Sequence, residues 1–216
     1  MSDDRVFETI AERGIVPVIA IDSVDMALPL ADALLEGGLP LVEITFRTAA
    51  AAEVIERICW QRPSLLVGAG TVVTAENLQA AKASGAKFGV APGLNNDIVT
   101  GARRAGLPFV PGVCTPSEIE RAMTLGCRLL KFFPAEPSGG IEMLKALAAP
   151  YSHLGVRFVP TGGVNVNNLA AYMAVDAVAA VGGTWLAKKE DLAAGKWAEI
   201  RDRCKKAVDI VAQARG

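Results

Sequence analysis

A chain of 216 residues with 22 basic and 23 acidic side chains carries a net charge of −1, with the two signs mixed evenly along it. That balance leaves no electrostatic footprint for nucleic acid or an anionic membrane and favours a small-molecule partner. With no Pro/Ser-rich linker and no block of charge, residues 1–216 read as a single domain.

The first segment, "MSDDRVFETIAERG", is acidic where a signal peptide needs a basic stretch, and no apolar run approaches the roughly 20 residues of a membrane span. A cytoplasmic protein is the expectation. A helix is expected around Asp4 to Arg13, placed to cover the N-terminal mouth of whatever sheet follows. Short apolar, β-branched runs then recur: "IVPVIAI" from 15, "LVEITF" from 41, "LLVGAG" from 65, "KFGVA" from 87, "PFVPG" from 108, "LLKFF" from 129, "VRFVPTGG" from 156 and "AVAAVGG" from 177. Between them lie Ala/Leu/Glu-rich segments of helical period. Thr74 opens one helix and Gly85 closes it; Thr115 and Pro116 open another and Gly126 closes it. The last helix is expected from about Asp191 to Arg215, with Trp197, Ile200, Cys204, Val208 and Val211 on its docking face. Eight strand–helix units predict an α/β protein whose parallel strands close into a (β/α)₈ TIM barrel with an extra N-terminal helix.

In such a barrel the reactive face is the C-terminal end of the strands. In "LVEITFRT", Glu43, Thr45 and Arg47 share one parity, and Val42, Ile44 and Phe46 the other, so the polar set faces the interior or mouth. In "RLLKFFPAE", Lys131 is flanked by apolar residues on both parities, where an ammonium is expensive unless paired or deprotonated. The remaining lysines stand in polar helical or edge contexts. Strands two and six are both even-numbered, and such strands fill the same interior layers, so the expectation is that Glu43 and Lys131 can meet across the centre. A structural ion pair contributes little net stability. The alternative is a nucleophilic amine, with Glu43 shuttling its proton.

Thr71 ends the third strand and Thr161 the seventh, and Thr-Gly at such places is also ordinary turn chemistry. Gly68-Ala69-Gly70 is no dinucleotide fingerprint, because Val73 stands where the third glycine is needed. Gly162-Gly163 and Gly182-Gly183, the latter followed by Thr184, lie after the last two strands, where barrels commonly bind phosphate through backbone N–H groups. A single histidine, His153, in a surface-type loop, gives no raw material for a His-rich metal site or a Ser-His-Asp triad. The four cysteines form no Cys-x-x-Cys pair and read as reduced core thiols, Cys114 included.

The chain resembles the 2-keto-3-deoxy-6-phosphogluconate (KDPG) aldolase family, which also includes 4-hydroxy-2-oxoglutarate (KHG) aldolases. The motifs "GIVPVIAI", "VEITFRT", "GAGTV", "APGLN", "VPGVCTPSE", "KFFPAE", "PTGGV" and "GGTW" occur in the family's order over nearly the whole length. The resemblance implies a homotrimeric barrel that uses a lysine Schiff base, no metal and no cofactor. Its partners would be pyruvate and a phosphorylated keto-deoxy sugar acid. Lys131 would form the imine and Glu43 would move protons through a bound water. Arg47 and Thr71 would hold the keto acid's carboxylate near Thr161, Pro92 and Phe133 would line the pocket, and Gly162, Gly163, Gly183 and Thr184 would receive the phosphate, with Gly182 beside them. Thr184 stands where the family more often has serine, as does Ala91. A KHG aldolase, a non-covalent phosphosugar isomerase and a non-catalytic sensor are the competing expectations.

Overall fold

The computed structural model describes residues 3–216. Helix α1 (Asp3–Arg13) precedes β1 (Ile15–Ile19), and then follow α2 (Ala27–Glu36), β2 (Leu41–Thr45), α3 (Ala51–Gln61), β3 (Leu66–Gly70), α4 (Ala75–Ala83), β4 (Phe88–Val90) and α5 (Asn96–Arg104). The second half runs β5 (Phe109–Val110), β6 (Gly112–Val113), α6 (Pro116–Thr124), β7 (Leu129–Phe132), α7 (Gly140–Ala148), β8 (Arg157–Pro160), α8 (Leu169–Met173), β9 (Val181–Gly183), α9 (Lys189–Ala193) and α10 (Trp197–Arg215).

Every strand pair is parallel, in a curled α/β array. Its hydrogen bonds divide it into a six-stranded sheet, β5-β4-β3-β2-β1-β9, and a three-stranded sheet, β6-β7-β8. The expected fifth strand is therefore not continuous. Pro111 has no N–H to give the ladder and splits the run into β5 and β6, although its carbonyl still accepts from Lys131 N–H at 2.9 Å. The expected eighth strand is shorter than "AVAAVGG": only Val181–Gly183 is strand, and β8 reaches this segment through the isolated bridges Phe158 to Val178 and Thr161 to Gly182.

Side chains divide by parity as a pleated strand requires. Val42 and Ile44 of β2, with Leu130 and Phe132 of β7, pack into the large core under the helices. Leu41 and Leu129, on the other parity, join a second cluster with Phe88, Val110 and Val159, closed from the N-terminal side by Val6 and Ile10 of α1. The first helix thus plugs the strands' N-terminal end. The same parity turns Glu43 and Lys131 inward.

The helix caps follow the sequence signals. Thr74 Oγ1 accepts from Asn77 N–H at 3.1 Å, and Thr115 and Glu118 form a reciprocal capping box at α6. The last helix is broken, because Gly195 takes a left-handed φ of 64° between α9 and α10. On α10, Ile200, Cys204 and Val211 are buried, while Trp197 and Val208 are only partly covered. Burial pushes the Cys204 thiol up to about 12. All four cysteines are free; Cys204 lies fully inside the core, and Cys59, Cys114 and Cys127 are half-buried and pack against its edge. His153 is exposed in the 3-10 segment after α7. No helix among the described residues is long and apolar enough to cross a membrane.

Glu118 Oε2 accepts from Cys114 N–H at 2.7 Å and from Thr115 N–H at 2.9 Å, so α6 starts from a crowded acceptor. Thr115→Ala removes the hydroxyl of this box and should cost about 1 kcal/mol. The check is a lowered urea midpoint with an unchanged denaturant slope.

Candidate active site

Among the described residues Lys131 is the only buried lysine, with 6% of its surface exposed, and Glu43 is 3% exposed. Lys131 Nζ lies 3.4 Å from Glu43 Oε1, the one ion pair among the described residues whose partners are both buried. They come from different sheets, Glu43 in register with Val18 and Gly68 and Lys131 with Gly112 and Val159, and the curl of the array turns both side chains to the same interior. Beside them is a void of about 10 Å³ bordered by Ile10, Val16, Phe88, Val90 and Thr161. That is about the room one water needs. The Lys131 ammonium also lies 5.5 Å from the centre of the Phe133 ring. Every buried side-chain nitrogen and oxygen among the described residues has a hydrogen-bond partner.

Glycines on the neighbouring strands make the space. A Cβ on Gly70 would overlap the Glu43 carboxylate, and one on Gly182 would overlap the Thr161 hydroxyl. The two strands next to these polar groups carry no side chain where the groups lie. Thr161 is buried and its hydroxyl donates to Val159 O at 3.3 Å.

Arg47 and Thr71 stand just past the ends of β2 and β3. Arg47 is exposed rather than enclosed, with Nε donating to Thr45 Oγ1 at 3.1 Å, and Thr45 in turn donates to Ile19 O at 3.1 Å. Among the described residues Thr71 is the one non-glycine with positive φ, 58°, a costly conformation for a β-branched residue. Pro92 and Phe133 are half-buried. The Pro92 carbonyl lies over Gly112, the register partner of Lys131, where a Cβ would collide with it.

Gly162 and Gly163 have φ of 99° and 88°, in the region glycine favours, so this turn depends on their being glycine. Gly182 and Gly183 are buried in β9, followed by exposed Thr184, and the Trp185 ring fills the place of a Gly183 side chain. The Thr161–Gly182 bridge puts the two glycine dipeptides side by side.

Some contributors carry no signal in the sequence. Gly70 matters only once Glu43 is seen across the register. Glu136 N–H donates to Gly162 O at 2.9 Å, and its carboxylate accepts from the hydroxyl of buried Tyr172 on α8. Burial, and then that bond to Glu136, raise the Tyr172 phenol well above its ordinary range. Asn165 and Asn168 both reach the carbonyl of Gly163. Only their place in "GGVNVNN", a run of turn-forming residues, hints at them.

A larger cleft of about 630 Å³, lined by Arg57, Trp60 and Ser84, lies on the outside between α3 and the end of α4. It faces none of the inward polar groups. Among the described residues no three His, Cys, Asp or Glu side chains are grouped to hold a metal.

The family of KDPG and KHG aldolases matches residues 6–203. A 2-dehydro-3-deoxy-phosphogluconate aldolase of Haemophilus influenzae is 44% identical over 96% of this chain and 97% of its own length. A KHG/KDPG aldolase of Escherichia coli K12 is 38% identical over 94% of each chain. Among solved structures, KDPG aldolase from Legionella pneumophila, with pyruvate captured at low pH as a covalent carbinolamine intermediate, superposes with a TM-score of 0.89 at 36% identity, covering 95% of this chain and 97% of that one. With inward Lys131 and Glu43 on adjoining faces of its curled sheet, this chain belongs to the KDPG and KHG aldolase family.

Proposed function

We propose that the protein is a class I aldolase that reversibly cleaves 2-dehydro-3-deoxy-6-phosphogluconate to pyruvate and D-glyceraldehyde 3-phosphate through an imine on Lys131. The observation that carries this reading is the buried Lys131–Glu43 pair at 3.4 Å, in a chain whose relatives bear that activity in their names. A buried ion pair is a poor stabilising device, since desolvation of each ion costs several kcal/mol. Its presence makes sense if the amine has covalent work to do.

The steps follow from the residue types. Glu43 takes the proton of Lys131, the neutral amine adds to the substrate's C2 ketone, and Glu43 returns that proton to the carbinolamine hydroxyl as it leaves as water, giving a protonated imine and a free carboxylate. A base, for which Glu43 is the nearest candidate, removes the C4 hydroxyl proton. As the C3–C4 bond breaks, its electron pair moves to C3 and into the imine nitrogen, and the aldehyde leaves. The resulting enamine takes a proton at C3, and hydrolysis returns pyruvate and the free amine. Arg47 and Thr71 are assigned to the substrate carboxylate, with Thr161 beside the reacting carbon. Pro92 and Phe133 wall the pocket. Gly162, Gly163, Gly182, Gly183 and Thr184 are assigned to the phosphate, which backbone N–H groups suit.

The same proposal includes one (β/α)₈ barrel spanning the chain. It is supported by the two bridges that link β8 to the β9 segment. A homotrimer working in the cytoplasm completes it, on the family resemblance. Cleavage of 4-hydroxy-2-oxoglutarate to pyruvate and glyoxylate is a second activity favoured by the double name of the Escherichia coli relative.

Steady-state assays on both keto acids test the assignment. Lys131→Met should abolish cleavage of each, and Glu43→Gln should lower kcat by roughly 10²- to 10⁴-fold. Full activity of Lys131→Met would sink the covalent mechanism. A separate assay addresses the phosphate end: Gly162→Leu or Gly183→Leu should raise KM for the phosphorylated substrate far more than for 4-hydroxy-2-oxoglutarate. Equal losses on both, in variants that keep the wild-type urea midpoint, would remove the glycines from phosphate binding.

A further inference from the structure

The turn after β8 is fixed from two sides. The Gly162 carbonyl accepts from Glu136 N–H at 2.9 Å. The Gly163 carbonyl accepts from two carboxamides, Asn165 Nδ2 at 3.0 Å and Asn168 Nδ2 at 3.3 Å. Those carboxamides are themselves held: Asn165 Oδ1 accepts from Asn167 N–H at 2.9 Å, and Asn168 Oδ1 from Asn165 N–H at 2.7 Å. A trans peptide is planar, with its N–H opposite its carbonyl. Pinning the carbonyls of Gly162 and Gly163 therefore aims the N–H groups of Gly163 and Val164 the other way. Neither N–H donates to any protein acceptor among the described residues, although Val164 is buried to 4%. A backbone donor without a protein partner takes its acceptor from outside the chain.

Left to themselves, two adjacent glycines would let these peptide planes rotate. The carboxamides remove that freedom before a ligand arrives, and preorganised donors bind an anion without a further ordering cost.

Resting on the phosphate assignment made above, we propose that Asn165 and Asn168 are positioning residues for the phosphorylated end of the substrate. They fix the Gly163–Val164 peptide, so that the Val164 N–H meets the phosphate oxygens beside that of Gly163, whose own peptide is held through Glu136. They touch neither the imine nor the keto acid. Their effect belongs in the affinity for phosphorylated substrate, and through it in the preference over 4-hydroxy-2-oxoglutarate.

The experiment measures kcat and KM on both substrates for the wild type, Asn165→Ala, Asn168→Ala and the double variant. Each single change should raise KM for the phosphorylated substrate about 3- to 10-fold, the range expected for losing one hydrogen bond. The double variant should raise it further, with kcat and the KM for 4-hydroxy-2-oxoglutarate within about twofold of wild type. Asn165→Ser and Asn168→Ser keep an accepting oxygen for the turn's own N–H groups without the carboxamide donor and without adding charge, so they should reproduce the KM rise if the alanine forms fold poorly. An unchanged KM, or an equal rise on both substrates, overturns the proposal. Inorganic phosphate separates this from the parent assignment: it should compete with the phosphorylated substrate in the wild type. Competition in the wild type with unaffected variants sinks the asparagine role alone, and no competition sinks the phosphate site with it.

Discussion

One amine and one carboxylate enclosed inside the sheet constrain everything around them. Burying an ion pair brings desolvation costs of several kcal/mol per ion, against a net stability for a typical domain of about 5–15 kcal/mol. The surroundings of Lys131 and Glu43 reflect that cost. Their neighbours are apolar, the adjacent void is about 10 Å³, and the nearest polar groups are already bonded. Under the proposed mechanism, the same dryness keeps the reacting amine and the imine away from bulk water.

Room for these groups is made by omission. Gly70 lies where a side chain would displace the Glu43 carboxylate, and Gly182 where one would displace the Thr161 hydroxyl. At the mouth the logic changes from packing to hydrogen bonding. Arg47 is anchored through Thr45, Thr71 is held at φ 58°, and the Gly162–Gly163 turn is pinned by Glu136, Asn165 and Asn168. Rigid strands fix the interior, and side chains brace the loops that would otherwise move.

Strand parity made the centre legible from the sequence. Lysine between Leu-Leu and Phe-Phe, and glutamate on the polar parity of β2, are conflicts between chemistry and burial, and both residues lie inside. Thr74 and Thr115 likewise announced their helices. Features set by single backbone groups were harder to read. Pro111 breaks a ladder although its neighbours look like one strand, and Gly195 separates α9 from α10 where a single helix is expected from about Asp191. Cys114 lies just past the end of β6, where a thiol that looks like core is only half-covered. Asn165 and Asn168 converge on one carbonyl because the turn folds back, which no spacing along the chain encodes.

The central claim is that Lys131, alone among the lysines, bonds covalently to a keto acid. The most direct measurement is reduction with sodium borohydride in the presence of pyruvate, followed by peptide mass mapping. The account predicts a stable adduct on the peptide carrying Lys131, formed only when pyruvate is present, with loss of activity in step. Active protein that forms no adduct, or an adduct on one of the exposed lysines, would contradict it.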